Sequence, residues 1–424
     1  MRLLILSLVV AGSCAGAAVV GTSSPPPSLS AARLDSAPAE QRSRWTAYLV
    51  RSEARMRADR EALAAELPTG AKRPPEPPEG KGAATMPLNR DAGWYASPAA
   101  RHVADVIVSF QTPAGGWSKN EPRDGAVRLP GQNYAANDLS RFPSPGDFDA
   151  PHDVHWNYVG TIDNDATTTE LRFLARVAAQ FPGAEGDLYR ASFLRGVEYL
   201  LAAQFPNGGW PQVWPLQGGY HDAITFNDDA FVHAAEMLAT VARGEGDYAF
   251  IPGTIRARAA EAEARAIDCI LKTQIVVNGR RTVWGQQHDP FTLQPVAARN
   301  FEPAALSSTE SANLLLFLMR IPHPSPAVGA AVKDGVAWLR EAAIHDRAWT
   351  STADGHRLIA APGAPPLWAR FYDIQTGRPI FGDRDKTIHD NVDDLTSERR
   401  NGYAWYNGAP AKAIDAFARW QPRG

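Results

Sequence analysis

The segment "AAQFPNGGWPQVWP" (residues 202–215) starts as the end of an Ala/Leu-rich stretch and changes into a turn with paired glycines and two tryptophans. Two further joins have the same order of helix, glutamine, turn and tryptophan: "FQTPAGGWSKN" (residues 110–120) and, more loosely, "LKTQIVVNGRRTVWGQQ" (residues 271–287). A supersecondary unit that recurs along a chain predicts units stacked on one another. We therefore expect helical hairpins arranged around an axis.

Ala/Leu-rich segments of ordinary helix length lie between these joins and continue beyond them, and each is followed by a loop rich in Gly, Pro or Trp. The sequence contains no βαβ series, Gly-rich phosphate loop or Cys/His zinc spacing, which argues against the cofactor chemistry of those motifs. The pattern predicts an all-α fold. The predicted helices cover residues 97–112, 165–181, 188–204, 228–242, 254–273, 307–321 and 327–344.

The N-terminus has the pattern of an export signal. Arg2 precedes an apolar run, and small residues with an A-x-A site follow, so residues 1–17 are predicted to be removed. Cys14 also weakly matches a lipoprotein cleavage site, so the exported protein is expected to be secreted, periplasmic or lipid-anchored. After cleavage at residue 17 only Cys269 remains, and no intrachain disulfide can form.

Residues 18–87 are predicted to form a separate N-terminal region, and residues 88–424 the main domain. Ser, Pro and Ala dominate residues 22–38, which favours a flexible spacer. Residues 41–67 have apolar side chains at near-helical spacing and predict one long amphipathic helix. The proline-rich residues 68–87 then form the predicted linker.

The 424-residue chain has 43 basic and 46 acidic residues, for a formal net charge of −3. Such a balance gives no global attraction to nucleic acid or to an anionic membrane, so a charged partner must bind to a local patch. We expect a monomer without a nucleic-acid partner and without a membrane-spanning segment.

Two clusters of carboxylates and amides precede predicted helices: Asp163-Asn164-Asp165 and Asn227-Asp228-Asp229. Helix capping accounts for one carboxylate in each cluster, but not for the rest. The two clusters start helices of neighbouring hairpins, so we expect them to share one face. Such a face can hold calcium, which takes about six to eight oxygen ligands, or an acid/base pair of carboxylates.

Aromatic side chains are concentrated directly before the second cluster, at Trp210, Trp214 and Tyr220. In a loop at the mouth of a helical scaffold, such rings can stack on the faces of sugars. The alternative is that the tryptophans pack the loop against the core, because tryptophan is usually well buried.

The C-terminal part, from residue 368, interleaves arginines with aromatics and aspartates. Arginine forks grip carboxylates at two points, so this pattern favours an anionic sugar over a neutral one. For "GDRD" (residues 382–385) and "SERRNG" (residues 397–402), structural Arg/Asp pairs are the favoured interpretation. Arg299 differs, because it lies in a proline-punctuated loop just before the capping box Ser307-x-x-Glu310.

Over residues 88–420 the chain resembles polysaccharide lyase family 10, the pectate lyases with an α/α toroid. The resemblance implies a partial (α/α)3-type barrel with long loops and short irregular β segments. The motifs that carry it occur in order along the chain. They are "TIDNDATTTELRFLARV" (161–177), "GGWPQVWPLQGGYHDAITFNDDA" (208–230), "VWGQQHDPFTLQPVAARNFEPAALSSTES" (283–311), "WARFYDIQTGRPIFGDRD" (368–385) and "ERRNGYAWYN" (398–407).

The resemblance implies calcium-dependent cleavage of polygalacturonate by β-elimination to give unsaturated oligogalacturonides. Arg299 matches the family's catalytic arginine, while Arg370 and Arg384 match substrate-binding arginines. Lys119 is a weaker substrate-binding candidate without an assigned role. Calcium ligands are implied at Asp163, Asn227, Asp228 and Asp229.

Two positions depart from the family's pattern. Asp165 stands where glycine is common and adds a carboxylate beside the implied calcium site, and Gly285-Gln286 stands where Cys-Ala is common. Two other functions fit parts of the sequence. One is an inverting glycoside hydrolase that uses Asp163 and Asp228 as acid and base, and the other is a non-catalytic pectin-binding protein.

Overall fold

The computed structural model describes residues 18–136 and 146–420. The helices predicted from the sequence coincide with α1 to α8 to within about one turn at either end. Two short C-terminal helices were not predicted. The α-helices are α1 (Arg42–Ala65), α2 (Pro98–Ser109), α3 (Thr168–Gln180), α4 (Asp187–Ala203), α5 (Ala230–Arg243), α6 (Gly253–Thr273), α7 (Ser308–Met319), α8 (Pro326–Glu341), α9 (Ser397–Asn401) and α10 (Ala409–Arg419).

The helices form two layers. In one layer α2, α4, α6 and α8 are successive neighbours, and in the other α3, α5, α7 and α10 are. The chain alternates between the layers through the hairpins α3–α4, α5–α6 and α7–α8. Helices α3, α5 and α7 are buried along nearly their whole length and therefore form the inner layer. This arrangement confirms the predicted α/α toroid.

The repeated Gln-turn-Trp joins connect these hairpins in the same way each time. The indole Nε1 of Trp117, Trp210 and Trp284 donates to a carbonyl of the helix that precedes it, at Ile107, Leu200 and Ile270. The amides of Gln111, Gln204 and Gln274 bond to their own turn and to a carbonyl of the next helix in the outer layer, at Ser192, Ala262 and Ala331. The repeat in the sequence thus corresponds to a repeated set of hydrogen bonds that links neighbouring outer helices.

The strands are short and lie in the loops. One sheet has the order β1-β13-β12-β11-β7, another has the order β2-β5-β6, and three are two-stranded pairs. The longest pair, β8 and β9, is a regular antiparallel hairpin. The strands are β1 (Val19–Thr22), β2 (Ile224–Thr225), β3 (Val276–Val277), β4 (Arg280–Arg281), β5 (Gln287–His288), β6 (Pro295–Val296), β7 (Leu306–Ser307), β8 (Arg347–Thr352), β9 (Gly355–Ala360), β10 (Trp368–Ala369), β11 (Phe371–Tyr372), β12 (Pro379–Gly382), β13 (Thr387–His389) and β14 (Tyr406–Asn407).

The N-terminal region packs on the toroid. Strand β1 pairs with β13, and Trp45 and Tyr48 of α1 lie in the same hydrophobic core as the toroid helices. The Tyr48 hydroxyl donates to the carbonyl of Ala203 over 2.9 Å. Within residues 22–38, predicted as a flexible spacer, Ala31–Ser36 form one short 3-10 helix, in which Arg33 pairs with Asp289 at 2.9 Å.

The predicted leader, residues 1–17, and Cys14 within it lie outside the described residues. Cys269 is buried as a free thiol in α6. Among the helices of residues 18–136 and 146–420, none is both long enough and apolar enough to cross a membrane.

Candidate active site

The two carboxylate clusters lie side by side where inner helices α3 and α5 begin. Each cluster turns sharply into its helix through residues with positive φ. The values are 49° and 62° at Asn164 and Asp165, and 48° and 59° at Asp228 and Asp229. Such conformations cost about 1–3 kcal/mol each and concentrate at functional sites. The strained residues therefore lie on the face that the two carboxylate clusters were predicted to share.

Asp163 is buried, with 4% of its side chain exposed, and its two oxygens have different surroundings. Oδ2 accepts a hydrogen bond from Lys119 Nζ over 2.8 Å, whereas Oδ1 has no hydrogen-bond partner among the described residues. Burial alone would raise the pKa of Asp163, but the adjacent Lys119 ammonium holds it below its usual value. Asp163 is thus an ionised carboxylate with one buried oxygen unused.

Asp228 is the second carboxylate of the site. It accepts a hydrogen bond from the side-chain amide of Asn227 over 2.8 Å. Burial, followed by the charge of Asp163, raises the pKa of Asp228 to about 6. Repulsion between two partly buried carboxylates is relieved by a cation, so this pair fits a cation that both can bind.

The remaining members of the clusters have protein partners. Asp229 accepts from Asn313 on α7 over 2.6 Å, and Asp165 forms an ion pair with His233 on α5. The Asn227 side-chain oxygen accepts from Gln286 over 2.8 Å, so Gln286, one of the two departures from the family's pattern, holds this cluster in place. Among the described residues, no three His, Cys, Asp or Glu side chains are grouped to hold a metal ion. A cation held by Asp163 and Asp228 would therefore need further oxygen ligands, from amide or carbonyl groups, water or substrate carboxylates.

Arg299 lies in the loop before α7 and forms a two-point ion pair with Glu302. Its Nε is 2.8 Å from Oε2 and its Nη2 is 2.6 Å from Oε1. Burial would lower the pKa of Arg299, but the charge of Glu302 raises it well above its usual value. The hydroxyl of Tyr403 donates to Glu302 over 2.7 Å and fixes the carboxylate further.

Three guanidinium groups surround the ring of Phe301. The Cζ atoms of Arg399, Arg299 and Arg384 lie 4.1, 4.9 and 5.3 Å from its centre. Burial, together with the positive charges of Arg384 and Arg299, lowers the pKa of Arg399 even though Glu398 opposes the shift. Arg299 and Arg384 are partly exposed and give this edge of the site a positive surface that suits a polyanion, while Arg399 is buried beneath them. We call these three residues the arginine cluster.

Arg370 connects the arginine cluster with the carboxylates. Its Nη2 is 2.5 Å from Oε1 of Glu310 and 3.1 Å from the side-chain oxygen of Asn227. Its Cζ is 4.8 Å from the ring centre of Tyr403, which also contacts Arg399. Carboxylates, Arg370 and the arginine cluster thus form one continuous site, in which Arg384 pairs with Glu398 over 2.7 Å.

The predicted aromatic platform is wrong for Trp210 and Trp214. Their exposures are 0% and 3%, and their rings pack edge to face on Phe231 and Tyr199. Tyr220 is also buried, at 4%, and its hydroxyl bonds to Asp149 over 2.7 Å. These rings are not available to stack on a sugar, because the Trp210 indole bonds to the Leu200 carbonyl, the Trp214 ring is buried against Tyr199, and the phenol serves a buried hydrogen-bond chain.

Several site residues were not predicted from the sequence: Glu302, Glu310, Tyr403, Arg399 and Tyr158. The signal for Glu310 was present in Ser307-x-x-Glu310, but that motif was interpreted only as a helix start, whereas in the structure the Ser307 hydroxyl donates to Glu310 and does not cap the backbone of α7. Arg399 was assigned to structural pairing, which its bond to the Gly402 carbonyl and its contact with Glu398 confirm, but its place against Phe301 in the arginine cluster was not predicted. Tyr158 places its ring 3.4 Å from Lys119 Nζ and so helps to position that ammonium.

Comparison with known proteins agrees with this site. The family model described as pectic acid lyase matches residues 111–414. Among solved structures, a family 10 polysaccharide lyase from Cellvibrio cellulosa is 30% identical, with a TM-score of 0.64, and the match covers 79% of this chain and 96% of that one.

A second solved structure is a mutant of the Cellvibrio cellulosa lyase, with one aspartate replaced by alanine, in complex with trigalacturonic acid. It is 29% identical with a TM-score of 0.64, and the match covers 80% of this chain and 99% of that one. No curated protein sequence matches the chain. The family match spans well over half of the chain and includes every residue of the site, so the protein belongs to the pectic acid lyase family and is a polysaccharide lyase with pectate lyase activity.

Proposed function

We propose that this lyase cleaves α-1,4-linked polygalacturonate by calcium-dependent β-elimination and releases unsaturated oligogalacturonides. The observation that carries the proposal is the adjacency of a carboxylate pair, Asp163 and Asp228, to Arg299 and Arg370. A polyuronate needs both features, because its repeated carboxylates bind arginines and a shared cation. The trigalacturonic acid bound by the Cellvibrio relative has the same chemistry.

The reaction removes the proton at C5 of a galacturonate unit and breaks the bond from C4 to the glycosidic oxygen. The C5 proton lies next to the carboxylate, so its removal places a second negative charge on that group. The developing charge must be neutralised for the step to proceed at a useful rate. Calcium held by Asp163, Asp228 and the substrate carboxylate would supply that neutralisation.

Residues of this chain do the remaining work in the proposal. Arg370 and Arg384 bind uronate carboxylates beside the scissile bond, and the buried Arg399 adds positive charge beneath them. Asn227 and Asp229, which have protein partners, hold the turn that carries Asp228. Lys119 takes part through Asp163 rather than as a simple substrate contact.

Arg299 is the proposed proton acceptor. Two of its nitrogens bind Glu302, and no hydrogen bond joins its third, Nη1, to another described residue, so Nη1 is the atom available to C5. An arginine accepts a proton only when it is neutral, and the pair with Glu302 disfavours the neutral form. The positive charges of Arg384 and Arg399 oppose this effect. We therefore expect an alkaline optimum.

The proposal is tested by incubating the purified protein with polygalacturonate and following ultraviolet absorbance from a C4–C5 double bond. Absorbance that rises with calcium and stops with excess chelator supports calcium-dependent elimination. Reducing ends without that absorbance would instead indicate hydrolysis by Asp163 and Asp228, and that reaction should tolerate Arg299→Ala.

Export is part of the proposal, because pectin is an extracellular polymer. The signal in residues 1–17 would place the enzyme in the periplasm or the medium, or on a membrane through a lipid at Cys14. N-terminal sequencing and mass measurement of the mature protein distinguish these outcomes, because only lipidation leaves Cys14 as the first residue with an added acyl mass.

A further inference from the structure

Lys119 occupies a position that a substrate-binding lysine does not require. Its side chain is 10% exposed, and its ammonium lies 2.8 Å from Oδ2 of Asp163 and 3.4 Å from the ring centre of Tyr158. The carboxylate it contacts is the one that keeps a second oxygen buried without a partner. The ammonium of Lys119 therefore already occupies one oxygen of Asp163, a proposed calcium ligand.

The loop that carries Lys119 is rigidly attached to the start of α3. Arg123 is buried between Glu121 and Glu170, at 2.7 and 3.0 Å, and donates to the carbonyl of Ser118 over 3.1 Å. Since Glu170 lies in the first turn of α3, this cluster fixes the backbone of residues 118–123 relative to Asp163. The freedom to move rests in the long side chain of Lys119 itself.

A divalent cation on Asp163 would stand within a few ångströms of this ammonium if Lys119 did not move. Like charges at such a distance in a partly buried site repel strongly, so the two cations compete for one carboxylate. A polyuronate resolves the competition, because its own carboxylates offer the displaced ammonium a new partner.

We propose that Lys119 is an internal counter-ion of Asp163, which calcium displaces and which the substrate carboxylate then accepts. The inference rests on the proposed calcium-dependent function and adds to it. The exchange makes calcium binding weak in the free enzyme and tighter when polyuronate is bound, and the same coupling makes calcium strengthen substrate binding. The free enzyme thereby keeps Asp163 neutralised without holding a metal.

The test measures binding of calcium alone, without sugar, by isothermal titration calorimetry. Lys119→Met removes the competing charge while keeping the length and apolar body of the side chain. We expect Lys119→Met to bind calcium at least about tenfold more tightly than the wild-type protein. The matched control is Lys272→Met, which removes the ammonium of an exposed pair with Asp268 (2.7 Å) on α6 and should leave calcium affinity unchanged.

Thermal unfolding with and without calcium separates this role from a purely structural one. Lys119→Met leaves a buried carboxylate unpaired, so its Tm should fall without calcium and recover when calcium is added. A structural lysine would lower Tm equally in both conditions. Lys119→Gln, which keeps a hydrogen-bond donor to Asp163, serves if the methionine variant does not fold.

Unchanged or weaker calcium affinity in a folded Lys119 variant would overturn the inference. The ultraviolet assay on the wild-type protein distinguishes this result from a failure of the proposed calcium-dependent lyase function. A wild-type enzyme that is a calcium-dependent lyase, with no gain in affinity on loss of Lys119, refutes the counter-ion alone. A wild-type enzyme that cleaves polygalacturonate equally well in chelator refutes the calcium dependence itself.

Discussion

Arg299 and Glu302 are three residues apart in one loop and form a two-point ion pair, with nitrogen–oxygen distances of 2.8 and 2.6 Å. The proposed base of the reaction is therefore joined to the group that most favours its protonated form. Burial alone would raise the pKa of Glu302, but Arg299 lowers it to about 2, so Glu302 stays ionised at neutral and alkaline pH. Glu302 thus positions Arg299 and at the same time sets the pH at which it can act.

Replacing Glu302 tests this relationship. Glu302→Gln keeps the shape of the side chain and removes its charge, so the pKa of Arg299 should fall. Because the neutral form of a base is populated above its pKa, the alkaline rise of kcat/KM should move to lower pH, by about one unit or more. The pH dependence of the initial rate on polygalacturonate measures it. Glu398→Gln is the control, since Glu398 bonds to Arg384 instead. A rise at the same pH in both variants contradicts the base assignment.

Two adjacent aspartates have different proposed roles. Asp228 is the proposed calcium ligand, and Asp229 holds the turn. Asp228→Asn removes a charge from the proposed calcium site and should lower kcat at least about 100-fold. Asp229→Asn changes a side chain that bonds to Asn313 and should keep most of the activity. Rates of double-bond formation at saturating calcium, with circular dichroism as the folding check, measure both. Equal losses in the two variants would show that the turn, rather than a ligand, had been damaged.

Arg399 is buried beneath Arg299 and Arg384, and its charge is expected to strengthen substrate binding, whereas that of its neighbour in sequence is not. Arg399→Met removes a cation of the arginine cluster, so KM for polygalacturonate should rise roughly tenfold with a smaller change in kcat. Arg400 bonds instead to the carbonyl of Asp354 in the β8–β9 hairpin and provides the control. Steady-state kinetics of both variants measure this difference. An equal rise of KM in Arg400→Met would contradict a specific role of Arg399 in substrate binding.

Trp210 should affect stability and leave substrate binding unchanged. Trp210→Phe leaves the carbonyl of Leu200 without its donor and opens space in the core, which should lower the free energy of unfolding by about 1–3 kcal/mol. Denaturant unfolding measures this loss, and KM of the folded variant should match the wild-type value. A large increase in KM at unchanged stability would restore the sugar-stacking interpretation.

Much of the scaffold was predictable because its signals are local. Helices α2 to α8 follow from Ala/Leu-rich periodicity, and the Gln-turn-Trp joins repeat within a short stretch of chain. The positions of Asp163 and Asp228 followed from the same logic, since each precedes an inner helix. Neighbouring hairpins then bring those starts together.

Features that depend on contacts between distant segments were not predictable. Composition cannot tell whether Trp210 faces a sugar or the Leu200 carbonyl, because the deciding hydrogen bond forms only when the turn folds back on its helix. Likewise, Arg399 was grouped with structural arginines because nothing in "SERRNG" shows that it contacts Phe301. Glu310 was assigned to a capping box from the sequence, but it bonds to the Ser307 hydroxyl and to Arg370 of a distant segment.

The pairing of β1 with β13 joins almost the first described residues to almost the last. Residues 19–22 leave the ribosome early, but their partner at residues 387–389 is made only when little of the chain remains to be synthesised. Contacts between residues this far apart in sequence form late, because the entropy cost of closing a long loop must be met before the contacts can stabilise the fold. The toroid can therefore assemble hairpin by hairpin during synthesis, while its first strand must wait for the chain to be nearly complete.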